Sequence, residues 1–207
     1  MDISLFLPET FLTITSITLL VLMLLSKETL SKTVYPVMVF SGAALVAACF
    51  LSLHASGSLF SATYRVDLFS QGFKFILSIA FFIAILLSEE MIAIPKSKEA
   101  EYFLFMTTSV FGMLMLTSAA DILTLYVSLE LSSYSLYLLA ALRQERRNAE
   151  SSVKYLIFGA AASGVLLWGL SLITGLSGAT SLIEIAKNAP VLSAQPAFAL
   201  GLALTTF

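Results

Sequence analysis

Hydrophobic residues in this chain are gathered into long runs, which polar residues interrupt at only a few places. Because the hydrocarbon core of a bilayer is about 30 Å thick, a helix needs roughly 20 mostly apolar residues to cross it. Six runs approach that length, at residues 10–25, 34–53, 73–87, 101–119, 122–142 and 152–174, and a seventh begins near residue 197. The pattern therefore predicts an all-α, polytopic membrane protein with six complete transmembrane helices plus the start of a seventh, in a single transmembrane domain over residues 1–207.

The connections between these runs predict the ends of the helices. The first run follows the acidic residues Asp2 and Glu9 and has no positively charged segment before it, so we expect a retained helix and not a signal peptide. Asp121 stands in the tight turn before the fifth run, where its side chain is suited to cap the helix. The stretches 54–71 and 175–196 are rich in Gly and Ser, and we expect loops and short interfacial helices there.

Composition agrees with a membrane protein and excludes other classes. Hydrophobic residues make up 58% of the chain and charged residues 12%, whereas soluble domains have roughly 45–50% and 25%. The 11 basic and 13 acidic residues give a net charge of −2, which lacks the basic surplus of a nucleic-acid binder. Cys49 and His54 are the single members of their types, so neither a disulfide within the chain nor a Cys/His metal cluster is expected.

The basic residues predict the orientation in the membrane, because cytoplasmic loops retain Lys and Arg during insertion. The connections after the first, third and fifth runs hold Lys27, Lys32, Lys96, Lys98, Arg143, Arg146 and Arg147. The opposite side holds Arg65, Lys187 and Lys74, the last of these at the mouth of the third helix, where a solvated interface is expected. This asymmetry predicts an N-terminus on the outer side, which is the periplasm for a bacterial inner membrane and the equivalent compartment for an organelle.

Glu130 lies near the middle of the fifth run, where an ionisable side chain is costly and is usually functional. At helical spacing Tyr126, Ser133, Tyr134 and Tyr137 share its face, so a polar stripe is predicted along this helix. Hydroxyl groups in such a stripe can pass protons to a desolvated carboxyl group. The stripe predicts a proton path, and the alternative is a glutamate that holds two helices together by a hydrogen bond or an ion pair.

Lys154 is the second candidate, in the sixth run. It lies seven residues beyond Arg147, or about 10 Å along a helix. A lysine at that depth can extend its ammonium group to the interface. It can also remain buried and take part in proton transfer with Glu130 through water or hydroxyl groups, and the position alone leaves both alternatives open.

Three segments resemble subunit N of the proton-translocating NADH-quinone oxidoreductase, respiratory complex I. They are residues 118–126 (SAADILTLY), 129–142 (LELSSYSLYLLAAL) and 150–163 (ESSVKYLIFGAAAS), and the opening Leu7-Pro8-Glu9 also fits that family. The resemblance implies an antiporter-like fold of about fourteen transmembrane helices with two inverted repeats. Residues 101–207 would form the incomplete first repeat. Leu129 distinguishes the chain from the sister subunits L and M, which usually have Trp before the glutamate.

The resemblance also implies roles for residues. Glu130 matches the family's essential glutamate of the fifth helix, and Lys154 matches its lysine of the sixth. A further lysine of the family's seventh helix would lie beyond Phe207. The implied activity is proton translocation driven by quinone reduction elsewhere in the complex, with no redox centre in this chain.

Other subunits would then carry NADH, flavin, iron–sulfur clusters and quinone, and the partners would be other membrane subunits of complex I and the lipid bilayer. Two alternatives stay open. The chain could belong to a multisubunit cation/proton antiporter, or it could be a fragment of a membrane scaffold that does not pump.

Overall fold

A computed structural model describes residues 3–25, 30–88, 95–142 and 146–206 of the chain. Within these ranges the α-helices are α1 Leu7–Leu25, α2 Leu30–Leu51, α3 Leu68–Leu87, α4 Glu99–Thr117, α5 Ile122–Ala141, α6 Arg146–Ser177, α7 Leu182–Leu192 and α8 Pro196–Thr206. Two short strands, β1 Gly57–Leu59 and β2 Tyr64–Val66, form an antiparallel hairpin between α2 and α3. Single 3₁₀ turns occupy Ile3–Phe6 and Lys96–Lys98.

The six predicted membrane spans are confirmed. In the described part of the chain, six helices are long and apolar enough to cross a bilayer: Leu7–Leu24, Thr33–Leu51, Leu68–Leu87, Glu99–Thr117, Ile122–Ala141 and Glu150–Ser177. The helix expected near residue 197 is present as α8. Lys27 and Arg143, two of the basic residues that predict the orientation, lie outside the described residues.

The prediction of loops and short helices for residues 54–71 is wrong, whereas α7 agrees with the prediction for 175–196. Residues 54–71 contain both strands and the first turn of α3. This helix begins early because the Asp67 side chain accepts a hydrogen bond from the Ser70 backbone N–H, and Ser70 Oγ accepts one from the Asp67 backbone N–H, each at 2.9 Å.

Backbone hydrogen bonds join three turns at one end of the bundle, which we call the hairpin face. The backbone N–H of Arg65 donates to the Ser118 carbonyl at 2.7 Å, so β2 pairs with the α4–α5 turn. The backbone N–H of Ile122 donates to the Thr180 carbonyl at 2.9 Å, which connects α5 to the turn before α7. The start of α5 is therefore fixed by the hairpin on one side and by residues 178–181 on the other.

Buried apolar side chains form one core among α1–α4 and another among α6, α7 and α8, with α5 between them. The α4–α5 contact is close because Gly112 presents no side chain. A Cβ atom placed on Gly112 would lie 2.7 Å from the Ser132 backbone N and 2.8 Å from the Ser128 carbonyl O. Small residues allow such close approach between membrane helices.

Replacing Gly112 by Ala is expected to lower the stability of the folded protein. The new methyl group would push α4 away from backbone atoms of α5, and overpacking of this kind costs about 1–3 kcal/mol. The measurement is the midpoint temperature for loss of helical circular dichroism in the purified, complete subunit. Gly72→Ala is the matched control, because a Cβ at Gly72 has no neighbour within 4 Å; an equal decrease in both variants would contradict the role of the close contact.

Candidate functional site

Glu130 is buried in the middle of α5. The helix begins at Asp121, whose side chain accepts a hydrogen bond from the Leu123 backbone N–H at 2.9 Å, as the sequence predicts. Only 8% of the Glu130 surface is exposed, and neither carboxylate oxygen has a hydrogen-bond partner among the described residues. A buried carboxylate without a donor is energetically costly, and proton uptake removes its charge. Glu130 is thus a buried acid without a described hydrogen-bond donor, in the middle of a membrane span.

The predicted polar stripe is divided between two sides of α5. Tyr126 and Tyr137 lie close enough to Glu130 to feel its charge. Tyr134 is exposed and lines a different groove, between α1, α4 and α5. Its ring contacts Tyr137 edge to face, with centroids 5.8 Å apart. Tyr126 and Tyr137 therefore stay on the Glu130 side of α5, whereas Tyr134 lines the other groove.

Next to this stripe, α5, α6 and α8 enclose a cleft of about 530 Å³. Hydroxyl groups of Ser133, Tyr137, Ser163 and Thr205 belong to its lining, and the remaining lining is mostly apolar. The Tyr137 ring lies against Gly159 of α6, where a larger side chain would overlap its hydroxyl group. The cleft thus brings hydroxyl groups from three helices near the Glu130 face of α5.

A second polar face on α5 is absent from the sequence prediction. Ser128, Ser132 and Ser135 are buried at spacings of four and three residues, and backbone atoms of Ser128 and Ser132 lie beside Gly112 of α4. Ser132 Oγ and Ser109 Oγ of α4 are 3.2 Å apart. The contact with α4 separates this packing face from the Glu130 face.

Lys154 lies on the exposed surface of α6 in this structure. Its side chain is 65% exposed, and its Nζ lies 2.5 Å from Oε1 of Glu150, one turn earlier. Within the described ranges, no ion pair joins Lys154 to Glu130. Lys154 and Glu150 thus form an exposed i, i+4 ion pair within the first three turns of α6.

Lys154→Arg and Lys154→Met are expected to separate the two roles that the sequence left open. An exposed i, i+4 pair contributes about 0.3–0.5 kcal/mol, so neither change should greatly alter stability. If Lys154 only extends its ammonium group to the interface, both variants should transport protons at close to the wild-type rate. A large loss in both variants would instead place the lysine amine on the proton path.

The prediction that Lys74 is solvated is wrong. Lys74 and Glu9 are both fully buried, and Lys74 Nζ lies 2.8 Å from Glu9 Oε1. Tyr64 donates a hydrogen bond to the same oxygen at 2.5 Å and accepts one from Lys74 Nζ at 2.7 Å. The sequence predicts an interface for Lys74 because this residue lies near the start of the third hydrophobic run. In the structure, the hairpin folds over Lys74 and Glu9 and excludes solvent.

A sequence signal for this buried pair does exist. Gln71, Lys74 and Ser78 are spaced by three and four residues on α3, and all three are buried. The same rule that predicts a polar stripe on α5 predicts one here. The partner Glu9 stands two helices away, so pairing the two required the folded structure.

A sequence model of the family described as "NADH:quinone oxidoreductase/Mrp antiporter, TM" matches residues 119–207. NADH-quinone oxidoreductase subunit N 2 of Opitutus terrae is 38% identical over 204 residues, which cover 97% of this chain and 42% of that protein. NADH-quinone oxidoreductase subunit N 2 of Syntrophobacter fumaroxidans is 40% identical over 161 residues, which cover 77% of this chain and 34% of that protein. The chain thus spans well under half the length of these relatives.

A chain in the structure of respiratory complex I from Thermus thermophilus with bound aureothin has the same fold. Its TM-score is 0.77 at 25% sequence identity, and the match covers 96% of this chain and 42% of that chain. The match therefore includes α1–α4 as well as the region from residue 119 onward.

Proposed function

Since this chain belongs to the family of NADH-quinone oxidoreductase subunit N, we propose that it forms part of a proton-translocating membrane subunit. The observation that carries the proposal is the Glu130 carboxyl group, which is buried in the middle of a membrane span without a hydrogen-bond partner among the described residues. Glu130 gains a proton and loses it again as the complex cycles. The hydroxyl groups of Tyr126, Ser133 and Tyr137 extend the route along α5.

The energy for this movement comes from quinone reduction outside the chain. In this proposal NADH, flavin, iron–sulfur clusters and quinone bind to partner subunits, and the chain packs against other membrane subunits of complex I. Residues 101–207 form part of the first of two inverted repeats. The similarity to complex I at 25% identity over 96% of the chain supports this arrangement.

We also propose that the hairpin face is periplasmic and that the membrane is the inner membrane of a bacterium. Lys96 and Lys98 lie at the opposite end of the bundle from the hairpin, before the start of α4. The excess of Lys and Arg in the connections at that end supports its cytoplasmic position. The N-terminal end of α1 then lies on the periplasmic side.

A subunit of a cation/proton antiporter is the second candidate, because the matching family description includes Mrp antiporters. The two functions differ in the source of energy. In a respiratory complex, NADH and quinone drive proton movement, whereas in an antiporter a sodium gradient drives it without NADH.

The test uses inverted membrane vesicles that contain the complete subunit in its native complex. Vesicles prepared in the same way from a strain that lacks the subunit are the control. Addition of NADH and quinone is expected to acidify the vesicle interior only when the subunit is present. Acidification or alkalinisation driven by an imposed sodium gradient alone, without a response to NADH, would assign the antiporter function instead.

A further inference from the structure

Glu9, Tyr64 and Lys74 form a closed ring of polar atoms beneath the hairpin face. The distances between Glu9 Oε1, Tyr64 OH and Lys74 Nζ are 2.5, 2.7 and 2.8 Å. Glu9 belongs to α1, Tyr64 to β2 and Lys74 to α3, so each member comes from a different element. The cluster lies in the part of the chain that precedes the matched family region at 119–207.

The cluster is covered from the hairpin side. The ring of Tyr64 packs edge to face against Phe6 and Phe60, with centroids 5.3 and 6.4 Å apart. Phe60, Ser61 and Ala62 have φ values of 52°, 56° and 68°, so three consecutive residues without a glycine adopt the left-handed conformation. Such strain persists where the surrounding structure imposes it, and it is frequent at functional sites. The cover is thus a strained turn close to a buried charge pair.

The polar groups of the cluster are not fully satisfied. Among the described residues, Glu9 Oε2 has no hydrogen-bond partner, and neither does the Gln71 side-chain oxygen or nitrogen. Gln71 is fully buried and lies one helical turn before Lys74. A purely structural ion pair is favourable only when every lone pair and donor is used. These free acceptors leave a place where one further proton can bind.

We propose that the Glu9–Tyr64–Lys74 cluster is a second proton-exchange site, which takes up and releases one proton at the hairpin face. A hydronium ion gives its proton to the Glu9 carboxylate and becomes water. Lys74 remains an ammonium ion, so the cluster changes from neutral to one positive charge. Release reverses both changes, and no electron moves.

Tyr64 connects the acid to the base without changing its own charge. Its hydroxyl group accepts a hydrogen bond from Lys74 while donating one to Glu9. Burial and the neighbouring Glu9 carboxylate raise the pKa of the Tyr64 phenol, so the phenol stays protonated throughout. It therefore holds Glu9 and Lys74 in place while the proton occupancy of Glu9 changes.

Few other ionisable groups influence this site. Cys49 of α2 lies close enough to feel the charges of Glu9 and Lys74. Arg65 and Asp67 form a pair at 3.7 Å on the hairpin surface, with side chains 60% and 43% exposed, where water screens them. Glu9 is thus the group of this cluster that gains and loses the proton.

The test records infrared difference spectra of the complete subunit in its reconstituted complex while the pH at the hairpin face is lowered. In the wild-type protein, the carbonyl band of a protonated carboxyl group is expected to grow. Glu9→Gln should lose this band. Lys74→Met should show the band already at a higher pH than the wild type, because its carboxylate lacks the counter-ion that favours the charged form. Arg65→Gln, which removes an exposed cation from the same hairpin, should match the wild type.

Identical spectra for Glu9→Gln and wild-type protein would overturn the proposal and leave a fixed ion pair that holds the helices together. If Glu9→Gln does not assemble, Glu9→Gln/Lys74→Met replaces it as the reference without a carboxyl group, since it leaves no buried charge alone. The readout needs neither NADH nor quinone. Failure of redox-driven pumping would therefore contradict the proposed function and leave this site untouched.

Discussion

Glu130→Gln, introduced into the complete subunit, is expected to reduce proton transport linked to quinone reduction by about tenfold or more, since positioned proton-transfer groups contribute about 10²–10⁴-fold to rates. Gln keeps the size and the hydrogen-bonding capacity of the side chain but cannot carry the proton. The carboxyl group has no hydrogen-bond partner within the described ranges. Its replacement should therefore leave assembly of the complex intact. The measurement is proton uptake into inverted vesicles per NADH oxidised.

Ser132→Ala provides the matched control for this variant. Ser132 lies on the same helix, has the same 8% exposure as Glu130 and faces α4. Loss of its hydroxyl group is expected to leave proton transport close to the wild-type level. Wild-type transport in Glu130→Gln would remove the basis for a proton path through this chain and would favour a membrane scaffold that does not pump.

The spans could be predicted from sequence because insertion into a bilayer depends on local hydrophobicity over about 20 residues. Asp121 could be predicted as a cap for a similar reason, since its partner Leu123 is two residues away. Both features depend on neighbours in the chain. The periodicity of α5 likewise placed Glu130, Tyr126 and Tyr137 on one face before any helix packing was known.

The faces of α5 could not be separated in the same way. Ser132 and Ser133 are adjacent in sequence, yet Ser132 contacts α4 while Ser133 lines the cleft beside α6 and α8. Hydroxyl groups are compatible with packing and with proton transfer alike. The choice between these roles depends on which helix lies opposite, and that is a property of the tertiary structure.

The error at Lys74 has a similar origin. Its backbone lies about 9 Å along α3 from Leu68, at 1.5 Å per residue, a depth from which a lysine usually reaches water. Helical side chains tilt toward the N-terminus of their helix, which here leads to Tyr64 and the hairpin. Strands of three residues carry almost no sequence signal, so the hairpin that buries this ammonium group was not predicted.

Lys74→Met is expected to lower the stability of the folded subunit by about 3–5 kcal/mol, because removal of one partner leaves the other charge buried and alone. Glu9→Gln should have a comparable effect, since it leaves the Lys74 ammonium without its counter-ion. The double variant Glu9→Gln/Lys74→Met contains neither charge. Its loss should be well below the sum of the two single losses. The measurement is the midpoint temperature for loss of helical circular dichroism in detergent.

Arg65→Gln serves as the control for this cycle, because the exposed pair with Asp67 at 3.7 Å is worth at most about 1 kcal/mol. Additive losses in the double variant would mean that Glu9 and Lys74 do not interact in the folded state. Non-additive losses would show that the charges compensate each other. The double variant is expected to recover stability and still to lack the infrared carboxyl band. That result would show that α1, α3 and the hairpin can pack together without proton exchange at Glu9.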